Sequence, residues 1–244
     1  MSILDQIVNT KSVRGRAAML YGPPGIGKST WGACSEDPIF IQTEDGLIDI
    51  EVPHFPLCEN FSQFMEYVYG LINDEHKFKT AVVDSVDWLE KLIHAHTCQK
   101  HGKEALEDFG FARGEKLSLQ WWDEVLKALD QLKLKGMNVI LLAHSEIRHL
   151  QPPDTDPYDK YFPRLNAKYS LPAVFDWCDE VLFANYKVMT KKQEESFGKE
   201  TRRAIGTGER VVYTTEKPTH QAKNRKGLPD ELPLIYDEYI KHFN

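Results

Sequence analysis

Short apolar runs alternate along the chain with longer stretches whose apolar residues recur every three or four positions. The first run, Ala17-Ala18-Met19-Leu20-Tyr21, predicts a buried strand. Pro38-Ile39-Phe40-Ile41-Gln42 predicts a second, ending in Thr43-Glu44-Asp45-Gly46. Phe61, Phe64, Met65, Val68, Leu71 and Ile72 share one helical face, with Ser62 placed to cap it. Lys79-Thr80-Ala81-Val82-Val83-Asp84-Ser85 is a third strand, followed by a helix through Trp88, Leu89, Leu92 and Ile93. A helix from about Ser118 to Leu134 carries the stripe Trp122, Val125, Leu126, Leu129 and Leu132, and Gly136 stops it. Asn138-Val139-Ile140-Leu141-Leu142-Ala143 is the most apolar run and predicts a central strand. Glu180–Tyr186 and Arg210–Thr215 read as two strands of a long hairpin with a basic tip, and Ile235–Phe243 as a closing amphipathic segment. Residues 1–16 form a polar lead-in with a short helix near Ile3–Val8. Residues 99–115 and 145–169 read as mobile or functional loops.

Strands alternating with helices imply a three-layer α/β/α domain with a mainly parallel sheet. A core of about 15–186 and a C-terminal hairpin extension of about 187–244 account for the chain as a single domain. Ligands of such sheets sit beyond the carboxyl ends of the strands, where Gly22, Glu44, Asp84 and His144 all fall.

The first strand runs into Gly22-Pro23-Pro24-Gly25-Ile26-Gly27-Lys28-Ser29-Thr30, a G-x-x-x-x-G-K-S stretch with every fixed position filled. Glycines there let successive backbone N–H groups converge on a phosphate, and the following helix adds positive potential. Lys28 is placed to reach the β- and γ-phosphates, and the Ser29 hydroxyl to hold Mg²⁺. The expected ligands are therefore ATP and Mg²⁺.

Composition narrows the surroundings of that site. The 244 residues are 41% hydrophobic and 27% charged, within the ordinary globular range. A formal net charge of −7 excludes a general polycation for nucleic acid, so any such contact needs a local patch or an oligomer's shared surface. Four scattered cysteines, Cys34, Cys58, Cys98 and Cys178, read as reduced thiols of a cytosolic protein. The first residues lack the pattern of a signal peptide, and no apolar run approaches membrane-spanning length, so no membrane partner is expected.

Around the nucleotide, Asp84 ends an apolar strand and is placed to orient Mg²⁺ through a water. Glu44 is placed to polarise the attacking water, with Asp45 beside it as an alternative. His144 ends the central strand, where a side chain can feel the γ-phosphate and pass its presence to the loop beginning at Ser145. Lys223 and Arg225 lie two apart on an expected strand and can be inserted beside the γ-phosphate by a neighbouring subunit. His94, Cys98 and His101 would share a helix face and leave a zinc site as a minor alternative.

These residues resemble the RecA-type branch of phosphate-loop ATPases. Phe40-Ile41-Gln42-Thr43-Glu44 resembles the RecA strand bearing the catalytic glutamate, and Val82-Val83-Asp84-Ser85 its Walker B strand. Ala222-Lys223-Asn224-Arg225-Lys226-Gly227 resembles the lysine–arginine finger segment of replicative ring helicases. The likeness points to small phage-encoded ATPases with a bare RecA core, some of them single-strand annealing recombinases (the RecA-core branch of the Sak proteins). His144 departs from the glutamine usual at the sensor position. The resemblance implies a cytoplasmic, ATP-hydrolysing homo-oligomer, ring or filament, with nucleotide between subunits and single-stranded DNA on two loops. A single-strand DNA-binding protein is an implied further partner. In the second loop Arg148, Lys160, Arg164 and Lys168 would track phosphates while Tyr161 and Phe162 stack on bases. Two other expectations stand beside it. One is a nucleotide-gated accessory such as a helicase loader. The other is a small-molecule kinase with Arg202 and Arg203, or Lys223 and Arg225, as a lid.

Overall fold

The computed structural model describes residues 14–195 and 199–243, without the side chains of 188–207. The expected helix near Ile3–Val8 and the side chains of Lys191, Lys192, Lys199, Arg202 and Arg203 lie outside that description.

The elements in chain order are β1 (Ala17–Gly22), α1 (Lys28–Ala33), β2 (Pro38–Gln42), α2 (Phe61–Asn73), β3 (Thr80–Asp84), α3 (Val86–Lys100), α4 (Arg113–Leu134), β4 (Asn138–Leu150), β5 (Tyr158–Pro163), α5 (Ser170–Trp177), β6 (Glu180–Glu195), β7 (Lys199–Tyr213), β8 (Lys223–Asn224), β9 (Glu231–Pro233) and α6 (Tyr236–Ile240). The sheet runs β2-β3-β4-β1-β6-β7-β9. Its first five strands are parallel, and β7 returns antiparallel to β6 as the expected hairpin.

Both faces of the sheet are covered. Met19, Tyr21, Ile39, Ile41, Val83 and Leu141 point to the side of α2, α3 and α4. Their neighbours Ala18, Leu20, Phe40, Val82, Ile140 and Leu142 point to the side of α1 and α6. Side chains alternate along each strand, so a strand buried on both faces must be apolar throughout. This is the three-layer α/β/α arrangement with a mainly parallel sheet expected of the sequence. On the α1 side, Trp31 is covered by Tyr236 and Tyr239, with ring centroids 4.9 and 5.2 Å away. Among the described residues no helix is long and apolar enough to cross a membrane.

Four local expectations change. Asn60, not Ser62, caps α2, because its side chain accepts the Gln63 N–H at 3.0 Å. The expected loop at 99–115 contains a 3-10 turn at Leu106–Phe109, and α4 begins at Arg113, before its apolar stripe. The expected loop at 145–169 is mostly a β-hairpin: β4 continues past His144 and pairs antiparallel with β5 from Ser145–Pro163 to Leu150–Tyr158. Finally, α5 occupies a stretch assigned to no element by the sequence.

Candidate functional site

Beyond β1 the chain turns through the glycine-rich loop into α1. Gly25 (φ 73°) and Gly27 (φ 110°) take the left-handed conformation that favours glycine. Gly22 is required for a different reason: a Cβ there would stand 2.4 Å from the Ala184 carbonyl oxygen of β6. The buried Lys28 ammonium donates to the Gly22 and Pro23 carbonyls, both at 3.1 Å, and so lies across the loop's mouth. Burial lowers its pKa, against the opposing pull of Asp84.

The registers Gly22–His144, Asp84–Leu142 and Gln42–Asp84 bring the ends of β1, β2 and β3 together beside His144 of β4. The Ser29 hydroxyl donates to Asp84 Oδ2 at 2.7 Å. Burial raises the Asp84 pKa, while the Ser29 hydrogen bond and Lys28 oppose that rise. The Glu44 N–H donates to the Asp84 carbonyl at 3.3 Å, which sets Glu44 above the end of β3. Glu44 is half-buried and Asp45 exposed. Glu44 Oε1 lies 3.9 Å from His144 Nδ1. Burial raises the Glu44 pKa, with His144 pulling the other way.

The sequence reading missed Asp87, in the first turn of α3. It is buried, and its two oxygens contact the His144 backbone N–H and Nδ1, each at 3.0 Å. Although burial pushes its pKa upward, the hydrogen bonds from His144 win and hold it below the ordinary value. An ionised Asp87 thus fixes the imidazole beside Glu44. Three positions on, buried Glu90 accepts from the Asn166 backbone N–H and the Ser170 hydroxyl. Helix α3 therefore ties the site to the exit of the β4–β5 hairpin.

One cleft is lined by Pro24, Gly25, Gly27, Lys28, Ser29, Thr30, Glu44, Asp84 and His144, with Arg210 from β7 at its edge. Gly22 and Pro23 contribute the carbonyls that Lys28 bonds, and Ile26 anchors the loop in the core. Ser29 and Asp84 present hard oxygen donors side by side, a pair that would suit Mg²⁺. When bound there, the ion would neutralise charge on the β- and γ-oxygens. Lys28 would bind the same phosphates, and Glu44 would orient the attacking water.

Other candidates lie elsewhere. Lys223 and Arg225 flank the start of β6, since Val181 pairs with Lys223 and Glu180 with Asn224. That is the amino end of the parallel strands, opposite the phosphate loop. Lys223 donates to the Phe175 and Asp176 carbonyls at 2.8 and 2.9 Å, and Arg225 lies 3.7 Å from Asp179. They form no lid over their own chain's loop. Of the expected DNA residues, Lys160 is buried and ion-paired with Glu216. Arg148 is paired with Glu146 and lies 4.9 Å over the Phe162 ring. Tyr161 stacks on Phe183 at 4.9 Å, and both Tyr161 and Phe162 pack against the core. Only Arg164 and Lys168 of that set stand exposed. His96 packs on Phe61 and Trp121, and no group of three or more His, Cys, Asp or Glu that could hold a metal occurs among the described residues.

Residues 14–226 match the family model described as an AAA domain. The chain belongs to that family. As an AAA domain it is a phosphate-loop ATPase, and nucleotide is the ligand its loop serves. No curated protein matches it in sequence. Among solved structures it is similar to the KaiC-like protein PH0186 of the hyperthermophilic archaeon Pyrococcus horikoshii OT3. That likeness has 13% identity, covers 82% of this chain and 86% of the other, and has a TM-score of 0.39.

Proposed function

We propose that this AAA domain hydrolyses ATP in the cleft at the ends of β1 to β4 and uses the cycle to bind single-stranded DNA as a homo-oligomer. The observation that carries the hydrolytic half is the convergence of Lys28, Ser29, Asp84 and Glu44, with His144 held by Asp87. A carboxylate beside the cradle favours water as the acceptor; of the two cation pairs expected as a kinase lid, Lys223 and Arg225 lie at the other end of the sheet, and the side chains of Arg202 and Arg203 lie outside the described residues.

The DNA half rests on the β4–β5 hairpin. The Arg164 N–H donates to the His144 carbonyl at 2.8 Å, so the residue placed to feel the terminal phosphate is bonded to the segment leaving the hairpin, where Arg164 and Lys168 stand exposed. Arg148, Lys160, Tyr161 and Phe162 then serve to hold the hairpin's shape. Annealing or strand exchange is the activity we assign, with a single-strand DNA-binding protein as further partner.

The test is phosphate release with and without single-stranded DNA, duplex DNA and RNA across a salt series. Single-stranded DNA should raise turnover, and the gain should fade as salt rises. Turnover indifferent to every nucleic acid would remove the DNA half. Nucleotide binding by Lys28→Ala as tight as wild type would remove the hydrolytic half.

A further inference from the structure

Arg210 stands beside the phosphate loop, although in sequence it is one cation at the root of a basic hairpin. Strand β7 brings it there: Tyr186 of β6 pairs with Arg210, and the Arg210 carbonyl accepts the Leu234 N–H at 3.1 Å. A Cβ built on Gly27 would meet Arg210 Nη1 at 3.2 Å. The guanidinium borders two adjoining recesses. One is the cleft holding Lys28, Glu44 and Asp84. The other is lined by Trp31, Cys34, Leu234, Ile235, Tyr236 and Asp237, and Gly27, Thr30 and Arg210 belong to both.

Most other cations of these elements are already engaged, Arg164, which faces Lys28, being the exception. Lys28 bonds loop carbonyls, Arg148 pairs with Glu146, Lys160 with Glu216, and Lys187 with Glu231. Arg210 is exposed, and its guanidinium makes no hydrogen bond or ion pair among the described residues. Asp45 and Asp237 line the same recesses without pairing with it, and an arginine left unpaired at the rim of a phosphate cradle is poised for an anion.

We propose that Arg210 is a nucleotide-binding residue acting in cis, on the α- and β-phosphates. This rests on the phosphate-loop reading above. Glu44, Asp84 and His144 mark the terminal-phosphate end of the cleft, because water and metal are handled there. Arg210 lies at the other boundary, where the phosphate cleft meets the more apolar recess, and so meets the diphosphate shared by ATP and ADP. The strand carrying it is one arm of the β6–β7 hairpin, which makes that hairpin part of the nucleotide site.

Isothermal calorimetry with Mg·ADP and with Mg·ATP tests this on wild type, Arg210→Ala, Arg210→Lys and Lys28→Ala. Arg210→Ala should weaken both nucleotides by a similar factor, about tenfold, as expected for one exposed charge-assisted contact. Arg210→Lys should recover part of the loss. The melting temperature without nucleotide should not move, since the side chain is exposed and unpaired. Wild-type affinity in Arg210→Ala alongside weakened binding in Lys28→Ala would overturn the inference and leave the loop reading intact. A loss confined to ATP would overturn the α/β assignment. A loss accompanied by a lowered nucleotide-free melting temperature and no recovery in Arg210→Lys would make the role structural. Unchanged binding in both alanine variants would overturn the loop reading itself.

Discussion

His144 Nδ1 lies 3.0 Å from Asp87 Oδ2, and the other oxygen of that carboxylate accepts the His144 backbone N–H at 3.0 Å. One buried acid thus grips both the ring and the main chain of the residue at which β4 passes from the parallel sheet into its hairpin with β5. Such support sets ring orientation and tautomer, and a displacement near 1 Å at a reacting centre costs on the order of a hundredfold in rate. Asp87→Asn should therefore lower turnover about ten- to a hundredfold while leaving nucleotide affinity within about twofold. Steady-state phosphate release and calorimetry measure the two separately. The same variant has a stability signature. The folded-state pKa of Asp87 lies below its ordinary value, so its contribution is present above that value and is lost as pH falls through the folded pKa. The gap in unfolding free energy between wild type and Asp87→Asn should close as pH falls below about 4. A gap that stays constant down to acid unfolding would show that the pair contributes no ionised-state stability.

Glu44 is predicted to set the acid limb of hydrolysis. Burial raises its pKa, and it must be ionised to polarise water, so activity should fall on acidification at a pH above the usual glutamate range. Since His144 opposes that rise, His144→Asn should move the limb further up. Glu44→Gln keeps shape and loses the base: hydrolysis should drop at least about a hundredfold with nucleotide still bound. A pH–rate profile of the three proteins decides this, and an acid limb unmoved in His144→Asn would disconnect the pair.

Gly22→Ala should damage the loop through crowding. The new methyl would sit 2.4 Å from the Ala184 carbonyl oxygen, and β6 is held in place by its pairing with β1. Overpacking of this kind costs about 1–3 kcal/mol. Thermal unfolding should show it, together with weaker nucleotide binding. Gly25→Ala meets no atom within 4 Å but must adopt φ 73°, so its cost should be smaller and confined to the loop.

Much of this site could be read along the chain because it is built at strand ends. A parallel strand buried on both faces announces itself as an apolar run, and the polar residue closing each run lands at the ligand edge. Asp84 and His144 are legible that way, Gly22 by the glycine-rich motif, and Glu44 lies two residues past the end of β2. Asp87 gave no such signal: an acid in the first turn of a helix reads equally well as a charge favoured at a helix start. Nor did Arg210, whose place depends on antiparallel register set some twenty residues away in sequence, at Tyr186. The β4–β5 hairpin was hidden by prolines and charges, since one of its faces is solvent-exposed and its strands lack a continuous apolar pattern. The aromatic pair Tyr161 and Phe162 looked like a base-stacking platform because sequence cannot say which way a hairpin turns its rings. Here they turn inward, onto Phe183 and Arg148.

Arg225 can reach a phosphate loop only on another copy of the chain. In its own chain its guanidinium lies by the Asp176 carbonyl, at 3.4 Å, and by Asp179, at the amino end of the sheet. It cannot serve the loop at the opposite end, so any catalytic part must be played across a head-to-tail interface. Such an interface joins the Glu44 cleft of one copy to the Arg225 edge of the next. Arg225→Ala and Glu44→Gln should each be inactive alone, since every interface lacks one component. Mixed in equal amounts with random exchange, about a quarter of interfaces should pair an intact cleft with an intact finger. Activity should therefore rise to about a quarter of wild type and fall away on either side of the equal mixture. The measurement is phosphate release against mixing ratio, with mixed oligomers verified by native mass spectrometry. Flat inactivity across all ratios in proven mixed oligomers would end the case for catalysis in trans. It would also leave Arg210 as the arginine that this chain brings to its own nucleotide.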